Sequence, residues 1–363
     1  MTRADVIVIG GGPAGSSAAR ALVQAGLDVV VFDRARFPRD KTCAGWITPA
    51  VVDLVQLPIA EYGASRVCQP ITGFRTARMG RRLIHTRFGT TVSYGIRRVE
   101  FDEYLLRRSG ATVVDGTPVT RLAREGGRWL VNDTHAAPVI IGAAGHQCPV
   151  ARHLGARPSG EHAIAAQEVE FRLTPDQQAR CRVAADTPEL YLCPDLRGYG
   201  WCFRKGDHLN VGLGRLDSHD LPRHVRAFRD ELMASGGVPP DMPTAWKGHA
   251  YLLRDRSPRP VLGDGALLVG DAAGLAATMS GEGIRPAIES GLAAARAIID
   301  ARGRDDRDAL ASYESWLNER FPRRAWNLDR VPESLTSAIV GGLLGTAWFT
   351  RRVLLERWFL QAA

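Results

Sequence analysis

The sequence predicts an α/β fold with α+β inserts: a parallel, doubly wound sheet interrupted by an antiparallel sheet and followed by C-terminal helices. Three observations predict it. A βαβ pattern opens the chain, from an apolar strand at Val6–Ile9 through a small-residue helix over 16–25 to a second strand over 27–33. A second strand–loop–helix unit lies far downstream, with a strand over 265–271 and a helix over 284–301. Between them run stretches in which apolar and polar residues alternate, the period of half-exposed antiparallel strands.

The opening unit carries recognisable chemistry. Gly10-x-Gly12-x-x-Gly15 joins its first strand to its helix. Gly10 permits the tight turn, Gly12 lets a pyrophosphate approach the backbone, and Gly15 lets the helix close on the strand. The helix N-terminus offers unpaired N–H groups and partial positive charge to phosphates. Asp33, 23 residues after Gly10, can accept hydrogen bonds from ribose hydroxyls. In this strand–turn–helix context the triplet reads as a dinucleotide site rather than a structural glycine turn, without separating FAD from NAD.

Composition bounds the remainder. At 363 residues the chain accommodates two domains or one large domain with an insertion. Its hydrophobic fraction of 45% and charged fraction of 24% are those of a globular protein. No signal peptide and no apolar run long enough to span a bilayer is read, so a cytoplasmic protein is expected. The net charge is +8, yet Lys occurs only at 41, 205 and 247 among 47 basic residues. The remaining Arg residues are scattered, without a run of five, so no nucleic-acid partner is expected. Six cysteines (43, 68, 148, 181, 193, 202) lack metal-ligand spacing, which predicts no metal and reduced thiols.

Between the two nucleotide-type units the elements follow in order. A long loop after Asp33, Arg34 through Pro49, precedes a short helix over 50–57. Strands are expected over 72–77 and 82–86. Asp102 is read as the N-cap of a helix over 102–109. A strand over 111–116, a hairpin turning at Gly126-Gly127 and a strand over 138–142 complete that segment. Strands over 163–171, 190–193, 198–203 and 209–214 follow, the last two joined by a polar turn at Lys205–His208. An amphipathic helix over 220–235 carries Val225, Phe228 and Leu232 at helical spacing. Residues 306–363 read as helices.

The downstream unit, Gly270-Asp271 with Ser280-Gly281-Glu282-Gly283-Ile284, places an acid after a strand and glycines at a helix start. An acid there can meet ribityl or ribose hydroxyls, and the helix N–H groups can face a pyrophosphate. Two such units suit a ligand longer than NAD. Here the chain resembles the class A FAD-dependent oxidoreductases of the aromatic-hydroxylase fold, and within them the geranylgeranyl reductase family, over roughly residues 4–300.

That resemblance implies a Rossmann-like FAD-binding domain, discontinuous over 1–65, 96–160 and 260–305, an inserted antiparallel-sheet substrate domain over 66–95 and 161–259, and a C-terminal helical segment over 306–363. It implies FAD contacts at Gly10, Gly12, Pro13, Ala14, Gly15, Asp33 and Arg34. It extends them to Lys41, Ala44 and Gly45 of a K-x-C-G-G-like loop, to Arg98, and to Gly145, Asp271, Gly281, Gly283 and Ile284. Cys43 of that loop is the implied proton-donor or gating residue beside the flavin, set against a thiol that only shapes the pocket. Tyr199-x-Trp201-x-Phe203 with Asn210-Val211-Gly212 resembles the family's substrate-sheet motif. Trp46, Tyr199, Trp201, Phe203 and Thr278 are the implied substrate-pocket residues, though strand aromatics commonly serve as core. Three positions depart from the family: Ala144 stands for an Asp, Thr278 for a Pro beside the flavin, and Arg204 for the Pro of the F-P turn. Arg204 is read as a solvent-facing hairpin residue, with an anion contact as the alternative.

The implied activity is hydride transfer through flavin N5 that reduces or oxidises a C–C bond of a lipophilic, isoprenoid- or polyketide-like substrate. An FAD-dependent monooxygenase or halogenase on the same fold is the alternative, and a flavin-binding protein without turnover a third reading. Ala144 leaves the electron donor open between NAD(P)H and a separate carrier. Cys43 and Cys148 are read as unpaired thiols rather than a redox pair. The apolar and Arg-rich C-terminal helix around 348–360 suits peripheral membrane contact, or packing on the FAD domain or a partner chain.

Overall fold

A computed structural model describes residues 1–156, 161, 163–217, 219–277, 280–323 and 346–360. The chain divides into two compact units. The first comprises Met1–Asp40, Val99–Ala163 and Tyr251–Ala325; the second comprises Lys41–Arg98, Ile164–Ala250 and Trp326–Ala363. Residues 41–65 and 96–98, expected with the nucleotide-binding segments, group with the second unit, and 161–163 and 251–259, expected with the substrate domain, group with the first.

The first unit is built on a six-stranded sheet in the order Leu262–Gly263, Ala266–Leu268, Val139–Gly142, Val6–Ile9, Val29–Phe32, Thr112–Val114. All neighbours are parallel except the first pair. Its strands are apolar throughout, as a sheet covered on both faces requires. Val6, Ile7, Val8, Val31, Ile140, Ile141, Leu267 and Leu268 are all buried. Helices Pro13–Gln24 and Ile284–Asp300 pack together on this sheet. The contact is close: a Cβ at Gly291 would lie 2.3 Å from the Ala14 carbonyl oxygen. A smaller four-stranded sheet carries the hairpin that turns at Gly126-Gly127.

The expected N-cap at Asp102 is a correction. The helix begins four residues earlier, at Arg98–Arg107, so Asp102 lies inside it. Its carboxylate is fully buried against Arg39, 3.1 Å away. A tertiary ion pair, rather than backbone capping, claims this acid.

The second unit centres on a seven-stranded sheet in the order Lys247–Leu252, Ala163–Arg172, His208–Arg215, Gly198–Lys205, Glu189–Leu192, Gly73–Arg78, Ile84–Arg87. It is mostly antiparallel, but Glu189–Leu192 pairs parallel with Gly73–Arg78. Strand alternation divides its two faces. Val169, Cys202, Leu209, Val211 and Leu213 join Val225, Phe228 and Leu232 of helix Leu221–Ala234 in an apolar core. The opposite face carries Glu168, Glu170, Trp201, Phe203, Lys205 and Asn210. Lys205 therefore differs from the expected polar-turn residue. It ends its strand and is 1% exposed, in step with Trp201 and Phe203. Arg204 takes the other parity and bonds to the Gly206 carbonyl and Gln178.

Candidate active site

The ends of Val6–Ile9, Val139–Gly142 and Ala266–Leu268 lie side by side in register. They release Gly10–Gly12, Ala143–Gly145 and Gly270–Asp271 from one sheet edge. From Val6–Ile9 the chain proceeds to Val29–Phe32 on one side, while Val139–Gly142 lies on the other. This is a topological switch point, where open α/β sheets bind ligands beyond their strand ends.

Within that crevice Gly15 and Gly12 have different constraints. A Cβ on Gly15 would stand 1.9 Å from the Gly10 carbonyl oxygen, so helix and turn pack with no space between them. A Cβ on Gly12 would meet only Arg39 Nη2, at 3.4 Å. The space over the helix N-terminus is otherwise open. Helix Pro13–Gln24 has no side-chain cap and no acid in its first turn, so its uncompensated positive end faces that space.

Arg39 contributes charge that no motif spacing marks. Its Nη2 pairs with Asp102, while its Nη1 is buried without a hydrogen-bond partner. A buried guanidinium nitrogen of this kind beside open space fits a phosphate oxygen. The residues present therefore fit a dinucleotide. Its only sequence signal is its place in the Arg-containing loop after Asp33. The Asp33 carboxylate accepts the Gly11 N–H at 2.8 Å and the Ala35 N–H at 2.9 Å, which orients it at the end of its strand.

Pro13 and Ala14 open the first helix, and Ala14 packs against Gly270. Asp271 lies in the turn Gly270–Ala272, and its Oδ1 would be 3.4 Å from a Cβ on Gly283, the residue that precedes helix Ile284–Asp300. Gly281 is backed by the Tyr251 hydroxyl. Gly145, at φ 72°, has open space on its Cβ side. Arg34 is exposed. The first unit thus gathers Gly10, Gly12, Gly15, Asp33, Gly145, Asp271, Gly283 and Ile284 around one sheet edge. Thr278 lies outside the described residues.

The second unit holds Lys41, Cys43, Ala44, Gly45 and Arg98. The Cys43 loop is fastened to the polar face of the large sheet. Glu168 Oε1 accepts the Cys43 N–H at 2.7 Å, and Asn210 Nδ2 donates to the Cys43 carbonyl at 3.2 Å. Lys205 Nζ donates to the Ala44 and Ile96 carbonyls, each at 3.0 Å, and pairs with Glu170 Oε2 at 2.5 Å. Gly45 has φ +67°, and a Cβ there would lie 2.5 Å from Lys205 Nζ, so the loop needs glycine at that place. Ala44 is not among the positive-φ residues. That is why an alanine is tolerated where the family has glycine. Lys41 Nζ bonds to the Thr42 carbonyl, and Arg98 is buried at the head of its helix.

Two carboxyls in this network, Glu168 buried and Glu170 partly so, have opposite fates. Burial pushes the Glu168 carboxyl up to about 7, despite the hydrogen bond from Cys43 and the attraction of Lys205. Burial also acts to raise Glu170, but the Lys205 ammonium with Asn210 and Arg97 outweighs it and holds that carboxyl below its ordinary range. Glu168 is thus the member able to exchange a proton near neutrality.

Beside the network lies an aromatic cluster. Trp46 packs against Phe203 at 5.4 Å and Phe74 at 5.4 Å, and Tyr199 against Trp201 at 6.0 Å. Phe359, from the C-terminal helical segment Thr350–Phe359, joins them: it stacks on Trp46 at 5.6 Å and meets Tyr199 edge-on at 5.1 Å. Leu354 and Leu355 are also buried, whereas Trp348 is 70% exposed. Part of the segment's apolar surface is therefore spent on packing within its own unit. Among the described residues, no helix is long and apolar enough to cross a membrane. All six cysteines are free.

A family model described as FAD binding domain matches residues 3–327. A menaquinone reductase of Mycobacterium tuberculosis is 30% identical over 342 residues, covering 88% of this chain and 81% of that protein. A chloroplastic geranylgeranyl diphosphate reductase of Arabidopsis thaliana is 31% identical over 352 residues, covering 87% and 71%. The chain belongs to the FAD-binding geranylgeranyl reductase family. It is an FAD-dependent oxidoreductase. The family fold also holds in three dimensions: a geranylgeranyl bacteriochlorophyll reductase-like protein of Thermoplasma acidophilum superposes with a TM-score of 0.75 at 23% identity, covering 95% of this chain and 88% of that one.

Proposed function

We propose that this geranylgeranyl reductase family member reduces a carbon–carbon double bond in a lipophilic, isoprenoid-like substrate, with Cys43 as the acid. The observation that carries this reading is the placement of a fastened thiol loop and an aromatic cluster on one face of one sheet. The relatives' names point the same way, since menaquinone and geranylgeranyl diphosphate both carry polyprenyl chains.

FAD, when bound, supplies the hydride chemistry. Gly12, the N-terminus of helix Pro13–Gln24 and Arg39 would hold its phosphates, and Asp33 and Asp271 would accept hydrogen bonds from its hydroxyls. Trp46 and Tyr199, both partly exposed, would meet apolar substrate, backed by the buried Trp201 and Phe203, and together they exclude water, which strengthens every polar interaction next to them. Cys43 Sγ gives up the proton that completes saturation, and the Cys43 peptide stays in place because its N–H and its carbonyl are both tied to buried side chains.

Anaerobic stopped-flow reduction of the FAD-loaded protein with NADPH, NADH and dithionite tests the reading. Reduced flavin that is reoxidised by geranylgeranyl diphosphate or menaquinone, with saturated product and at a rate that falls in Cys43→Ser, supports it. Reoxidation by oxygen that the substrate accelerates, with oxygenated product, would replace it with a monooxygenase. Bleaching by dithionite but by neither pyridine nucleotide would assign the donor role to a separate carrier.

A further inference from the structure

We propose that Glu168 is the positioning residue for Cys43: its buried carboxyl holds the Cys43 backbone and sets the charge next to the thiol. The proposal rests on the reading of Cys43 as the acid and adds the group that governs it.

The geometry is a clamp on one peptide. Glu168 Oε1 accepts the Cys43 N–H at 2.7 Å, while Asn210 Nδ2 donates to the Cys43 carbonyl at 3.2 Å and to Glu168 Oε2 at 3.4 Å. Asn210 cannot swing away, because its Oδ1 accepts from Trp201 Nε1 at 2.7 Å and its Nδ2 also donates to Glu170 Oε2 at 3.2 Å. The thiol in turn accepts the Gly45 N–H at 3.4 Å. With its own amide bonded to Glu168, the sulfur can be no more than about 7 Å from that carboxyl oxygen. Glu168 is 4% exposed, so water does little to screen it.

The charged groups around Glu168 are Lys205 on a neighbouring strand, Glu170 two residues along its own strand, and Arg97, which reaches the cluster by pairing with Glu170 at 3.1 Å. Lys205 and Arg97 are engaged with Glu170, so among the described residues Glu168 holds no ion pair of its own. Burial accordingly lifts its carboxyl to about 7. Below that pH the clamp is neutral and the thiol has no adjacent anion. Above it the clamp is anionic and places a negative charge within about 7 Å of the sulfur.

Iodoacetamide alkylation of Cys43 in the FAD-loaded full chain, read by peptide mass spectrometry from about pH 5.5 to 8.5, tests this. The other cysteines are resolved as separate peptides. In Glu168→Gln the Cys43 rate should exceed wild type at least about threefold at the alkaline end, the scale of a neighbouring unit charge even in a water-like dielectric. At the acid end the two rates should converge, and the Glu170→Gln control should not reproduce this pH-dependent ratio. A ratio independent of pH overturns the proposal. Should Glu168→Gln fail to fold, the wild-type profile decides: a Cys43 alkylation rate that passes through about pH 7, where Glu168 ionises, without a break overturns it equally. Flavin reoxidation that survives Cys43→Ser would sink the role of Cys43 as acid, while the alkylation ratio would still stand or fall by itself.

Discussion

Trp201 Nε1 donates to Asn210 Oδ1 at 2.7 Å, diagonally across two paired strands, and both residues are buried. Gly212, opposite Trp201, leaves room for the ring: a Cβ there would fall 2.1 Å from the indole. The Asn-Val-Gly sequence is thus a seat for the tryptophan and the hub of the Cys43 network. Replacing Asn210 by Leu would strand the indole N–H and the Cys43 carbonyl. Each buried polar group left unpaired costs about 1–3 kcal/mol, so Asn210→Leu should lose about 3 kcal/mol in urea unfolding. A loss under about 1 kcal/mol would show that the hub is dispensable.

Gly12 and Gly15 should separate cofactor binding from folding. In Gly12→Ala the added Cβ meets only the tip of Arg39, so the unliganded protein should keep its stability within about 1 kcal/mol. Its side chain would, however, fill the space left for phosphate, and FAD binding measured by fluorescence quenching should be lost. Gly15→Ala places a methyl group 1.9 Å from a backbone oxygen and should impair folding itself. Equal effects of the two substitutions on folding would contradict this division.

Arg39 should affect FAD affinity and stability together. Arg39→Met removes the buried unpartnered Nη1 and also the charge facing Asp102. A lost charge-assisted phosphate contact should weaken FAD about tenfold or more in equilibrium titration. Asp102→Asn in the same background should restore part of the stability but none of the affinity. Unchanged FAD affinity in Arg39→Met would remove Arg39 from the phosphate site.

The pH dependence of stability follows from carboxyls shifted in opposite directions. Glu168 rises from 4.5 to about 7 on folding, through burial. The folded state therefore keeps this proton longer than the unfolded chain does. The stabilisation is fully present below 4.5 and is lost as pH rises through about 7. Asp186 is held below its ordinary 3.8 by hydrogen bonds from Thr72 and Thr187, and Asp217 by Arg215, so their stabilisation is lost at lower pH. Tm should be highest near about pH 5 and fall on both sides. Glu282, also raised to about 7 by burial, contributes to the same limb, so Glu168→Gln should reduce the neutral limb without abolishing it and spare the acid limb; a neutral limb unchanged in that variant would refute the assignment.

Phe359 should fasten the C-terminal segment. Phe359→Ala removes a ring packed on Trp46 and Tyr199 and should cost about 3 kcal/mol, as buried aromatic truncations do. Limited proteolysis should then cut near the C-terminus first. Unchanged stability and protection would mean the contact is superficial.

The outcome divides along the distance between interacting residues. The opening βαβ unit, its glycine triplet and Asp33 were legible because each requirement is local: a turn, a close helix, an uncapped N-terminus. The second motif at Asp271 and Gly281–Ile284, the strands of the large sheet and the helix carrying Val225, Phe228 and Leu232 were legible for the same reason, from periodicity. No local pattern marks Arg39, and Asp102 carries the sequence signature of a cap. Their pairing joins a loop to a helix some sixty residues away, and no local pattern records it.

Lys205 shows the boundary most clearly. Between Arg204 and Gly206 it looks like a turn residue, and only its even spacing from Trp201 and Phe203 hints that it faces inward. The sequence by itself determined the fold class, the cofactor and the loop that carries Cys43. Only the tertiary structure decided that Glu168, Glu170, Lys205 and Asn210 meet around that loop, and that Phe359 closes on Trp46. Burial and strand pairing create those relations, and with them the shifted carboxyl of Glu168, because desolvation acts on a group only once distant segments have excluded water from it.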